Sequence, residues 1–176
     1  MRPKGLVTIS RITLASGQEL PLQKAVDYGW ITPSRSPKGW GVGRDEISLG
    51  ENLFLDQGRQ LAAFCLGFRS PISDYVISKF GVGTGLTAPK VSDVTLEAPV
   101  TLSGGSTLKA IDSIDFLTAY VIRVAYTLGL SDANGNLLTE RGLFSGNGTL
   151  LARHVTSIGI QKTSDWSPTL VWRIRT

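Results

Sequence analysis

NGNLLTERGLFSGNGTLLAR, residues 134 to 153, decides the fold class. Asn134-Gly135 and Asn147-Gly148 each supply the two positive-φ residues of a type I′ turn, the strongest short-range signal for a β-hairpin. Thr139 to Phe144 lies between them and Leu150 to Arg153 follows. Apolar segments of this length, bounded by tight turns, predict antiparallel strands.

The same pattern extends outward. Residues 5–14, GLVTISRITL, are rich in β-branched residues and predict a strand. Residues 75–82 predict another, and residues 91–102 read as extended. From Phe116 to Leu128, Phe116, Tyr120, Ile122, Val124, Tyr126 and Leu128 fall on one face, which predicts one long half-buried strand bent near its start. Leu170, Trp172 and Ile174 alternate with Arg173 and Arg175, so residues 170–175 predict an amphipathic closing strand. Only residues 56–68 carry helical spacing: Leu61, Phe64, Cys65 and Phe68 stand at i, i+3, i+4 and i+7 behind an Asp56 N-cap, with Gly67 and Pro71 ending the run. The fold expected is mainly β: an antiparallel β-sandwich with one amphipathic helix and an extended N-terminal arm.

Two regions are expected along the chain, a basic Pro- and Gly-rich arm over 1–45 and the sandwich over 46–176. Arg2, Lys4, Arg11, Lys24, Arg35, Lys38 and Arg44 face only Glu19, Asp27 and Asp45 in the first region, which holds the whole +4 net charge. No run of adjacent Lys or Arg occurs, so nucleic-acid binding is not expected as the main role. Trp30 and Trp40, with Arg35 and Lys38, are the candidate interaction residues: large apolar anchors for a partner's pocket, or groups that fold back on the body.

Candidate chemistry is sparse. One cysteine and one histidine exclude a disulfide framework, a cysteine zinc cluster and a poly-histidine metal site. Cys65 sits on the apolar stripe and is expected to be a buried thiol. His154 has no Gly-x-Ser-x-Gly elbow to serve and is expected to be structural. Gly81-Val82-Gly83-Thr84-Gly85 is followed by Pro89 and β-branched residues instead of a helix, so it is a glycine-rich turn and no phosphate cradle. Asp112, Asp115 and Asp132 read as solvated turn and edge acids. Glu140 stands apart: a carboxylate in a compact apolar segment needs a partner, and Arg153 or Arg141 is expected to supply it. No catalytic residue, cofactor or metal is expected. No apolar run is long enough to span a membrane, and no secretory segment follows Met1, so synthesis in the cytoplasm and a soluble product are expected.

Four segments in order resemble a family of tailed-bacteriophage structural proteins of the tail-collar or tail-fibre attachment type. Asn52 to Ala62 is similar to the family's opening helix, and Ile77 to Gly85 with Pro89, Ser92-Asp93 and Leu96 to its glycine-turn segment. Thr139-Glu140-Arg141-Gly142-Leu143-Phe144 resembles its "EhGLF" motif, with Leu151-Ala152-Arg153 as the strand after it. Leu170 to Ile174 resembles the closing strand. The resemblance covers about residues 50–176. It implies a non-enzymatic virion component made in the bacterial host, a homo-oligomer in a ring or trimer that packs against portal, tail or capsid proteins. Glu140, Gly142, Phe144, Arg153 and Trp172 would be its structural residues. The chain departs from the family in ending directly after the last strand and in its first 45 residues, which point to a self-contained collar, neck or baseplate subunit or a capsid decoration protein. From the residues alone, a carbohydrate-binding module presenting Trp30, Trp40 or Trp166 is the competing expectation.

Overall fold

The computed structural model describes residues 4–31, 46–55, 76–118 and 121–175. They form nine strands and one short helix: β1 (Lys4–Leu14), α1 (Leu22–Asp27), β2 (Ile47–Phe54), β3 (Ile77–Gly83), β4 (Lys109–Ala110), β5 (Ser113–Thr118), β6 (Val121–Thr127), β7 (Leu137–Ser145), β8 (Leu150–Gln161) and β9 (Trp166–Arg175). The strands hydrogen-bond in the order β4-β3-β7-β8-β2-β1-β9-β6-β5, every pair antiparallel.

This sheet folds over into two layers. Phe80 on β3 and Tyr126 on β6 stand near opposite ends of the strand order, yet their rings stack with centroids 4.1 Å apart. One run of chain supplies both ends of the order. At its start β4 pairs with β3, then Ile111 N–H donates to Ser78 C=O at 3.1 Å, Asp112 N–H to Ala125 C=O at 2.8 Å, and β5 continues along β6. The fold is thus mainly β, an antiparallel sandwich, as the alternation predicts.

Between the layers lies one core containing Val7, Ile9, Phe80, Val82, Val124, Tyr126, Leu143, Leu170, Trp172 and Ile174. Trp172 is fully buried and its Nε1–H donates to the Tyr126 hydroxyl at 3.3 Å. A second cluster of Leu55, Leu96, Phe144 and Leu150 forms where residues 84–108, a strap between β3 and β4, cross β7 and β8.

Several expectations change. The long strand expected over 116–128 is a hairpin, β5 and β6. Phe116 pairs directly with Ile122, so both lie on one face and their even spacing in sequence reads as one strand. Asn147-Gly148 does close the β7–β8 hairpin, but Gly148 (φ 87°) has positive φ and Asn147 does not, so the turn is not the type I′ turn expected. Asn134-Gly135 does not close one. Gly135 has φ 81°, but its turn lies on the link between β6 and β7, which are not neighbours in the sheet. Residues 91–102 form part of the strap instead of a strand.

Within the expected arm, β1 lies between β2 and β9 in the sheet. After it α1 packs Ala25 into the core, and Ile31 bridges to Ile160. The expected helix over 56–68, with Cys65, lies outside the described residues, as do Tyr120 and residues 32–45 of the arm.

Candidate functional site

Residues 81–85 and 139–144 meet beneath the strap. Gly81 lies directly opposite Gly142 across the β3–β7 ladder, and Gly83 opposite Glu140. These four positions face the strap, and glycine lets its backbone come close. A Cβ at Gly83 would sit 2.5 Å from Glu140 Oε2 and 2.6 Å from the Ala98 carbonyl oxygen. One at Gly142 would meet Leu150 Cδ1 at 2.7 Å and Leu96 Cδ2 at 2.9 Å.

Glu140 is fully buried. Its Oε1 accepts from the Glu97 amide and from Arg153 Nε, both at 2.7 Å, and its Oε2 accepts from the Ala98 amide at 3.1 Å. Arg153 reaches further into the strap: Nη1 donates to Asp93 Oδ2 at 2.7 Å and Nη2 to Glu97 Oε2 at 3.4 Å. Burial works against the charge of Arg153, but Glu140 and Asp93 outweigh it and hold the guanidinium above its ordinary pKa. Hydrogen bonds from the Thr87 hydroxyl and amide bring the Glu97 carboxyl below the usual carboxylate range. Thr139 Oγ1 donates to Gly85 C=O at 2.9 Å. A hydroxyl and a carboxylate from β7 and a guanidinium from β8 therefore pin one loop at five points, at Gly85, Asp93, Glu97 twice and Ala98.

Beside the pin lies an open groove of about 340 Å³, lined by Thr87, Lys90, Asp93, Val94, Glu97 and Arg153 among others. It has no aromatic wall. Both its carboxylates are engaged by Arg153, and no hydroxyl in it faces a histidine. His154 sits on the opposite face of β8, buried in the core, where its Nδ1 accepts from Arg141 Nη1 at 3.1 Å. Among the described residues no group of three His, Cys, Asp or Glu side chains is placed to hold a metal ion. The constellation can hold a loop in place; it offers no nucleophile with its base.

Of the other candidates, Trp30 is half-buried and folds back onto the body, stacked on Trp166 at 5.2 Å with the rings 12° from parallel. Trp166 itself is fully buried, which removes it as a sugar-stacking platform. Trp40, Arg35 and Lys38 lie outside the described residues.

Two polar centres escape a reading of the sequence. Asp132, expected to be solvated, is fully buried: Lys109 Nζ contacts its two oxygens at 2.7 and 2.8 Å, and the Ser103 and Gly129 amides donate to it at 2.8 Å. Burial alone would raise its pKa, but these donors bring it down to about 2. Arg141 is also fully buried, its Nη2 donating to Leu138 C=O at 3.1 Å. Burial lowers its pKa to about 10. Nothing local in the sequence marks these pairs; Asp132 and Lys109 are brought together only by the crossing of the strap.

In comparisons with known proteins, the chain matches no family model, no curated protein and no solved structure.

Proposed function

We propose that this chain is a non-enzymatic structural subunit of a tailed-phage virion, of the tail, collar, neck or baseplate type, made in the host cytoplasm. It works by packing against copies of itself and against portal, tail or capsid proteins. The observation that carries the reading is the state of Glu140. A carboxylate that works as a general acid or base must reach a substrate proton in a cleft. Glu140 instead accepts from two strap amides and a guanidinium, the arrangement of a group whose work is to hold shape.

The ordered motifs support the same reading, since Gly83, Gly85, Glu140, Gly142, Phe144 and Arg153 converge on one structural pin. A sandwich stiffened in this way suits a part that transmits load without changing form. The mass of the purified chain by light scattering at several concentrations tests the assembly role. A discrete oligomer is expected, and a monomer at every concentration would contradict self-packing.

A further inference from the structure

We propose that Asn147 is a site of spontaneous deamidation, so that the tip of the β7–β8 hairpin acquires a carboxylate as the protein ages. The second Asn-Gly pair, Asn134-Gly135, is held back by its own hydrogen bonds.

An asparagine before glycine is open to attack by the next backbone nitrogen, because glycine has no Cβ to crowd the approach. Gly148 N bonds to Asn147 Cγ, the Cγ–Nδ2 bond breaks, and ammonia leaves with the proton that Gly148 N gives up. Water then opens the succinimide at either carbonyl, leaving aspartate or isoaspartate. Both dipeptides are accessible to this chemistry. Asn134 and Asn147 are exposed, and a Cβ built on Gly135 or Gly148 would meet nothing within 4 Å. Each reaction also gives up one backbone hydrogen bond, Gly135 N–H to Lys162 C=O at 2.9 Å or Gly148 N–H to Ser145 C=O at 3.0 Å.

The side-chain nitrogens separate the two. Negative charge gathers on the carbonyl oxygen in the tetrahedral intermediate, and both oxygens have donors for it. Asn134 Oδ1 accepts from Lys162 Nζ at 3.0 Å. Asn147 Oδ1 accepts from the Ser145 hydroxyl, from the Thr149 hydroxyl at 2.9 Å and from the Thr149 amide at 3.2 Å. The backbone amide, which can only donate, fixes which end of the Asn147 side chain is the oxygen. Asn134 Nδ2, however, donates to Leu130 C=O at 2.8 Å, so its departure breaks a second hydrogen bond. Among the described residues nothing accepts from Asn147 Nδ2, which is free to leave. The extra bond makes the step at Asn134 about fivefold slower, the factor that one typical hydrogen bond sets. The product also suits the hairpin tip, since Lys79 Nζ donates to Gly146 C=O at 2.8 Å and so brings a cation to the residue before the new carboxylate.

Peptide mapping by mass spectrometry tests this, on the full chain held at mildly alkaline pH both folded and in urea. In the folded chain the peptide carrying Asn147 should convert to its acid forms at least about fivefold faster than the one carrying Asn134. In urea neither side chain keeps its partners, and the two should react alike. Asn134 matching or outpacing Asn147 in the folded chain overturns the proposal, as does a folded chain in which neither converts. A preference for Asn147 that persists undiminished in urea overturns the hydrogen-bond cause. The reaction needs no partner, so these outcomes are independent of the assembly reading.

Discussion

Acidification should unfold this protein through its only histidine. His154 Nδ1 accepts a hydrogen bond from Arg141, so a proton there would break that bond and set two cations 3.1 Å apart. Burial first, and the Arg141 charge second, push the imidazole pKa down to about 3, with a hydrogen bond to the Leu49 backbone working the other way. In the unfolded chain the ring titrates near its ordinary 6.5. The folded pKa is the lower, so the unfolded state takes up a proton first, and stability falls as pH drops below 6.5 until the folded pKa is passed. Each pH unit in that window costs about 1.4 kcal/mol, so about 2 kcal/mol is lost by about pH 5. Carboxylates add their own acid sensitivity lower down, Asp132 with a folded pKa of about 2. Urea unfolding at closely spaced pH values reads the effect directly. The wild type should show uptake of close to one proton on unfolding near pH 5, and His154→Gln should be flat over the same range. A flat wild type, or an equal slope in the variant, would refute the assignment.

Other perturbations follow from the same geometry. Arg141→Met removes the cation beside the ring, so the His154 pKa should rise and the acid slope shrink, as followed by imidazole NMR titration. Glu140→Gln breaks a buried pair and should cost about 3 kcal/mol in urea unfolding; an unchanged melting temperature would count against the pin. Gly83→Ala drives a methyl into the Ala98 backbone and should cost about 2–3 kcal/mol, more than Gly142→Ala, whose nearest neighbours are movable side chains. Trp172→Ala, in the centre of the core, should cost about 3–5 kcal/mol by thermal or urea unfolding.

The sequence carries some of this architecture better than the rest, for physical reasons. Strands β1, β3 and β9 are legible from their apolar alternation or a β-branched run between turns, although β9 is buried on both faces and Arg173, expected to point outward, is buried and paired with Glu46. The β7–β8 hairpin is legible because Asn147-Gly148 is a local device joining neighbours. Asn134-Gly135 has the same chemistry, but a turn does not say whether its flanking strands pair or part, and here they part between layers. The β5–β6 hairpin hides because its register returns Ile122 to the face of Phe116. In the site, Glu140 is conspicuous as a charge in an apolar segment, and Arg153 lies one hairpin away on the neighbouring strand. Asp93, Glu97 and the Lys109–Asp132 pair depend on the path of the strap, which no local pattern encodes.

Amide hydrogen exchange at Glu97 and Ala98 tests the central claim most directly, because these two N–H groups are the ones Glu140 holds. In the wild type both should exchange slowly although they lie in a loop. In Glu140→Gln both should speed up together, by at least about tenfold, while the β1–β9 amides change much less. Fast exchange in the wild type, or equal protection in the variant, would contradict a strap pinned by Glu140.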